Sequence, residues 1–165
     1  MASDLSTIRV GVAGTGVMGG RHVRVASMLA GSRLAGIYDP DAARATEVAE
    51  SYGVKAAGSI EELCEWVDAV VVASPTITHG EVGKRCLAAG CHVLLEKPLA
   101  ASRQEAEELV ALADEQGVFL MTGHVERFNG AVMALSMIAT EPLLIQTRRL
   151  HPQNNRILDV GVVLD

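Results

Sequence analysis

Short apolar runs alternate with stretches of helical spacing along most of the chain. Runs over about 7–13, 34–38, 54–56, 68–73, 91–95 and 118–121 are rich in Val, Ile, Leu and Ala and have the length of buried strands. Between them, about 17–30 (Val23, Ala26, Leu29, Ala30), 40–52 (Ala42, Ala45, Val48, Ala49), 59–66, 78–89 and 102–116 carry the spacing of amphipathic helices. Stop signals agree: Gly53, Gly90 and Gly117 stand where helices should end. Ser59–Glu62, Thr78–Glu81 and Ser102–Glu105 have the serine-or-threonine to glutamate spacing of a capping box at a helix start. Pro40 suits a first helical position, with Asp39 as its cap.

Strands alternating with helices at this rhythm predict an α/β fold with a doubly wound parallel sheet. Right-handed crossovers place the carboxyl ends of the strands along one edge, where such sheets bind their ligands. That rule gathers Gly14–Gly19, Asp39, Ser74–Thr76, Glu96–Pro98 and Gly123–His124 around one crevice, although they are far apart in sequence.

The first of these segments carries the sharpest signal. Gly14-Thr15-Gly16-Val17-Met18-Gly19 follows an apolar strand and opens a helix, the order of a dinucleotide-binding fingerprint. Gly14 permits the sharp turn, Gly16 lets a diphosphate approach bare backbone, and Gly19 lets helix and strand pack closely. Unpaired N–H groups and the positive end of the helix dipole then attract phosphate. Asp39 ends the second strand, roughly twenty residues past Gly19, where a carboxylate accepts ribose hydroxyls. A carboxylate repels a 2′-phosphate, so NAD is expected and NADP is disfavoured. Arg44 is the nearby base, on the following helix. The competing role for Asp39 is the helix cap described above.

Glu96-Lys97-Pro98 runs directly out of a buried strand at the same edge. A lysine there can hydrogen-bond a substrate hydroxyl and favour its alkoxide character as hydride leaves the carbon. Glu96 would keep Lys97 oriented or contact the nicotinamide ribose. The plainer alternative is a surface lysine in a proline-ended loop.

Composition narrows the field. At 165 residues the chain fits one domain, or one domain and a fragment. Hydrophobic content of 49% with only 3% aromatics implies an interior of small aliphatic residues, as suits a sheet covered on both faces. A net charge of −6 without a basic stripe argues against nucleic acid as a partner. No run reaches the length of a membrane span, and the first residues show no signal-peptide pattern, so a cytoplasmic protein is expected. Cys64, Cys86 and Cys91 lack a CxxC spacing and are expected as reduced thiols, with Cys86 and Cys91 filling core space. The five histidines are scattered without a zinc spacing, so no metal is expected.

Several stretches together resemble one family. The glycine fingerprint, Ala73-Ser74-Pro75-Thr76 with His79, and the run from Cys86 to Leu99 containing Glu96-Lys97-Pro98 are similar to the Gfo/Idh/MocA oxidoreductases, NAD(P)-dependent enzymes of sugars and cyclitols. The stretches 123–129 and 159–165 resemble the branch of UDP-N-acetylglucosamine 3-dehydrogenases. The resemblance implies a Rossmann domain and a sugar or nucleotide-sugar substrate. It implies Lys97 as the catalytic-site lysine, commonly with a cis peptide before Pro98. Ser74, Pro75, Thr76, His79 and Glu96 would line the nicotinamide half, with Arg127 and Asn129 near nicotinamide or substrate. His79 is equally explained by the helix start at Thr78, and Arg127 by a solvated helix.

Family members are about twice this length, with a second α/β domain and an Asp-x-x-x-His motif supplying an acid and a histidine. Asp165 matches that aspartate, and the histidine would fall four residues later. Residues 1–124 are therefore expected to form the NAD(P)-binding domain, and 125–165 a linking helix (131–139) and first strand (143–150) of a truncated substrate domain. An ending within the apolar run Val162-Val163-Leu164-Asp165 predicts a chain cut short. The apolar tail is expected to be mobile, to pack on the core, or to form a contact between copies in a homo-oligomer.

The expected function is hydride transfer between a sugar hydroxyl and nicotinamide, by a fragment with little or no activity alone. A stand-alone dinucleotide module or redox sensor, and a nucleotide-sugar binder without redox chemistry, are the alternatives.

Overall fold

The computed structural model describes residues 7–138, together with 141, 143, 144 and 146. Strands β1 (Ile8–Ala13), β2 (Ser32–Tyr38), β3 (Lys55–Ala56), β4 (Ala69–Val72), β5 (His92–Leu95) and β6 (Leu120–Thr122) form one sheet, in the order β3-β2-β1-β4-β5-β6. Every neighbouring pair is parallel. Helices α1 (Val17–Met28), α2 (Ala42–Tyr52), α3 (Ile60–Trp66), α4 (His79–Ala88) and α5 (Arg103–Gln116) supply the crossovers, and α6 (Gly130–Ile138) follows β6. The strand order reverses between β1 and β4, which is the topological switch point of the sheet.

The side chains of β4 show why both faces must be covered. Val70 and Val72 enter a core that includes Leu63, Leu87, Leu95 and Leu109 from α3, α4, β5 and α5. Val71 packs on the opposite core, with Val12, Val23, Leu34, Ile37 and Ala49 beneath α1 and α2. Alternation along a pleated strand divides one apolar run between two faces. Complete burial of each such aliphatic side chain stabilises the fold by about 1.5–3 kcal/mol.

Cys64, Cys86 and Cys91 are buried in the larger core, as expected of space-filling thiols for the latter two. The Cys91 thiol lies 3.7 Å from the Cys64 carbonyl oxygen and 3.8 Å from that of Val67. Hydrogen bonding to Cys86, with burial adding to it, pushes the Cys64 thiol up to about 12. The Cys91 thiol is also pushed up, by Cys64 and by burial.

Local signals fix the helix ends. Gly53 and Gly117 cap α2 and α5 in the left-handed conformation, with φ of +65° and +66°. Ser59 and Ser102 each accept the N–H three residues on, at 3.1 and 3.2 Å. Glu62 completes its motif one residue early, accepting from the N–H of Gly58 at 2.7 Å.

Two expected starts differ. Helix α2 begins at Ala42 behind Asp41, which accepts from the N–H of Arg44 at 3.2 Å; Pro40 lies outside the helix. Asp39 cannot cap it because its carboxylate is drawn to the glycine turn. At α4 the expected Thr78–Glu81 box does not form. A 3-10 turn, Thr76–Thr78, comes first, and the Thr78 hydroxyl donates to the Pro75 carbonyl (2.7 Å) or the Ser74 hydroxyl (2.8 Å) instead. Smaller differences are the end of α1 at Met28 and the start of β6 at Leu120. The expected strand over 143–150 lies mostly outside the described residues, and Asp165 lies wholly outside them.

Candidate functional site

Backbone bonds continue the sheet beyond its strands and tie their carboxyl ends together. The N–H of Gly14 donates to Tyr38 (2.8 Å), Ala73 to Ala13 (2.8 Å), Glu96 to Val72 (2.9 Å) and Gly123 to Leu95 (2.7 Å). The segments following β1, β2, β4, β5 and β6 therefore share one edge, as the strand reading requires.

The three fingerprint glycines meet different surroundings. Gly14 has φ +91°, and an added Cβ would lie 2.8 Å from the Ala73 carbonyl oxygen, so the turn after β1 is wedged against the end of β4 at the switch point. A Cβ on Gly19 would lie 1.8 Å from the Gly14 oxygen. At Gly16 the backbone is extended and a Cβ would meet nothing within 4 Å. The protein's own packing thus demands glycine at 14 and 19, whereas at 16 the cleared space faces outward. No side chain caps α1 and no acid occupies its first turn, leaving the positive helix end to an anion. Val17 is exposed and Met18 half-buried at that entrance.

Asp39 is 7% exposed and bound to this turn. Its Oδ2 accepts from the N–H and hydroxyl of Thr15 at 2.7 and 2.8 Å, and its Oδ1 from the N–H of Asp41 at 2.9 Å. Arg44 approaches Oδ1 at 3.4 Å and Asp41 at 3.1 Å. Burial pushes the Asp39 carboxyl up, but these hydrogen bonds and the guanidinium together hold it below the usual carboxylate range. It is a fixed negative charge at the end of β2, and Thr15 positions it.

On the other side of the switch point, Ser74 is half-buried, Pro75 exposed and Thr76 buried, in the loop leaving β4. His79 is 1% exposed, with Nδ1 2.8 Å from the Pro98 carbonyl oxygen and Nε2 2.9 Å from that of Ser74. It therefore joins the loops after β4 and β5 from behind. The Lys97–Pro98 peptide is cis, as the resemblance implied. Lys97 itself is half-buried.

Glu96 is buried, and its carboxylate faces α1. Oε1 accepts from His22 Nε2 at 2.7 Å, while Oε2 accepts from the N–H of Lys97 at 3.2 Å. The His22 bond holds the Glu96 carboxyl below the usual range against the opposing effect of burial. His22 is the residue that sequence reading missed. It counted only as one of five scattered histidines, although its place three residues past Gly19 puts both on one helix face. Arg127 and Asn129 are exposed around the 3-10 turn Val125–Phe128, beyond β6. Asn129 accepts from the N–H of Ala131 at 3.0 Å and donates to Glu126 at 2.8 Å. Among the described residues, no group of three or more His, Cys, Asp or Glu is placed to share a metal ion. None of the described helices is long and apolar enough to cross a membrane.

A parallel sheet with a reversal at β1/β4, a glycine turn open at Gly16 and a buried acid after β2 define an NAD(P)-binding Rossmann domain. Residues 8–124 match the model of the oxidoreductase family with NAD-binding Rossmann fold, Gfo/Idh/MocA, and the chain belongs to that family. It is 36% identical over 159 residues to UDP-N-acetylglucosamine 3-dehydrogenase of Acidithiobacillus ferrooxidans, covering 96% of this chain and 50% of that protein. A solved structure of that enzyme, GnnA, superposes with a TM-score of 0.75 at 37% identity, over 80% of this chain and 43% of its own. GenD2 from gentamicin A biosynthesis, solved in complex with NAD, gives 0.77 at 33% identity, over 82% of this chain and 40% of its own. The chain spans half or less of the length of the curated relatives it matches.

Proposed function

We propose that this chain carries the cofactor half of an NAD-dependent oxidoreductase that moves hydride between a sugar or nucleotide-sugar hydroxyl and nicotinamide. The observation that carries the reading is the contrast among the glycines. Gly14 and Gly19 answer to the protein's own backbone, and Gly16 only to something outside it. A diphosphate at the N-terminus of α1 fills that role.

In this reading the backbone from Gly16 to Gly19, with Val17 and Met18 at the entrance, holds the diphosphate. Asp39 takes the adenosine ribose and, as a fixed negative charge, favours NAD over NADP. Thr15 serves by holding Asp39. Ser74, Pro75 and Thr76 line the nicotinamide half, with His79 and Glu96 setting the loops from behind. The nicotinamide, when bound, supplies the hydride acceptor or donor. Lys97 binds the reacting hydroxyl and stabilises negative charge on its oxygen as the C–H bond breaks, and the hydroxyl proton leaves to solvent water. Arg127, Asn129 and Asp165 are assigned to the substrate side, and the division falls at residues 1–124 and 125–165. A nucleotide-sugar substrate rests on the likeness to UDP-N-acetylglucosamine 3-dehydrogenase along nearly the whole chain. The net charge of −6 argues against a nucleic-acid partner, the free thiols of Cys64, Cys86 and Cys91 support a reducing, cytoplasmic compartment, and the exposed Val132, Leu135 and Met137 of α6 support self-association.

Calorimetric titration with NAD, NADH, NADP and then UDP-sugars tests the proposal. Binding of NAD or NADH on the order of micromolar is expected, with NADP weaker. Failure to bind either NAD form at millimolar concentration would overturn it. Binding of UDP-sugar indifferent to NAD would point instead to a sugar-binding module without redox chemistry.

A further inference from the structure

We infer that His22 is a positioning residue for the nicotinamide half of the site, acting through Glu96 on the Lys97 loop. The inference rests on the dinucleotide reading and extends it to a residue outside the fingerprint. His22 lies in α1, the helix whose first turn would hold the diphosphate, and its ring reaches the end of β5.

A carboxylate only accepts hydrogen bonds, so Nε2 donates and the imidazole is fixed in direction. The other carboxylate oxygen receives the Lys97 N–H, so the relay runs from α1 through two side chains to the backbone of Lys97. Little else could substitute for this partner, because the side chains are 21% and 9% exposed. Gly123 closes the third side, where a Cβ would lie 3.2 Å from the Glu96 carboxyl carbon. Remove the donor, and a buried carboxylate must either remain under-bonded or turn toward water, taking its hold on Lys97 with it. The adenosine half has no part in this relay, because Asp39 is tied to Thr15 and Asp41 instead.

Two ligands separate the halves: NADH reaches both, whereas ADP reaches only the adenosine half. With H22A, calorimetry is expected to show about tenfold weaker NADH binding and ADP binding within about twofold of the unaltered chain. H22Q restores a donor and should recover most of the NADH affinity. On an E96A background, H22A should cause no further loss, because the relay is already broken. If H22A does not fold, H22L fills similar space without a donor and is read in the same way. Equal losses for NADH and ADP, absence of rescue by H22Q, or additivity of H22A and E96A would each overturn the role assigned to His22. An unaltered chain that binds neither ligand would instead overturn the dinucleotide reading beneath it.

Discussion

The turns after β1 and β5 face the same crevice but are held in different ways. The first is built from backbone: Gly14 pressed against Ala73, Gly19 against Gly14, and one acid tied to the adjacent Thr15 N–H. The second is built from side chains that come from elsewhere, with His22 reaching Glu96 across 74 positions and His79 reaching Pro98 across 19. A backbone cradle tolerates almost no change in shape, whereas a side-chain brace can be weakened by degrees. The packed glycines of the cradle, Gly14 and Gly19, should therefore fail by misfolding, and the brace by loss of precision at the nicotinamide end.

The largest contrast lies within the cradle. G19A forces a Cβ into backbone 1.8 Å away and should cost about 3 kcal/mol or more in chemical denaturation. G16V places its Cβ in open space and should cost only about 1 kcal/mol in denaturation, from the poorer N-cap, yet weaken NADH binding about a hundredfold. Equal effects of the two on stability would erase the distinction on which the site assignment stands.

The brace comes next. H79A removes a buried ring that joins two loops and should cost about 2 kcal/mol, with a greater loss of affinity for NADH than for ADP. A preferential loss for ADP would place His79 with the wrong half. D39A should remove that difference, weakening ADP and NADH alike by about tenfold and narrowing the preference for NAD over NADP. Retention of full selectivity in D39A would move the discriminating charge elsewhere.

Acid titration gives the smallest effect and touches both regions. The Asp39 and Glu96 carboxyls lie below their ordinary values in the folded chain, so the unfolded chain binds more protons as pH falls. Their stabilisation is complete above the ordinary carboxylate range, about pH 4, and is lost as pH drops through the lowered values. Thermal unfolding between pH 6 and 2 should show this decline, and D39N or E96Q should each flatten it. An acid limb unchanged in both variants would assign the decline to other carboxylates.

Much of the architecture was legible because it depends on short-range pattern. Apolar runs of strand length, glycines at 53 and 117, and the serines at 59 and 102 each act within a few residues of themselves. The strand ends then gathered the site segments without further assumption. What escaped was decided by competition across the fold. Asp39 had the composition of a helix cap, but Thr15 offered two donors and Asp41 took over the cap. Thr78 had a glutamate at the right spacing, but its hydroxyl had nearer acceptors in the preceding turn. His22 carried only its position on the helix face of Gly19, since its partner Glu96 lies 74 residues away and is brought to it only by the folded sheet.

The three sealed thiols give the molecule a built-in clock. Only a thiolate attacks an alkylating reagent, and the Cys64 thiol, pushed up to about 12, stays protonated and covered while the sheet is closed. Labelling must wait until α3 or α4 lifts away, so its rate reports how often that part of the molecule opens. A ligand that binds only the closed form slows the clock in proportion to its saturation, and occupancy at one edge of the sheet becomes readable as silence beneath it.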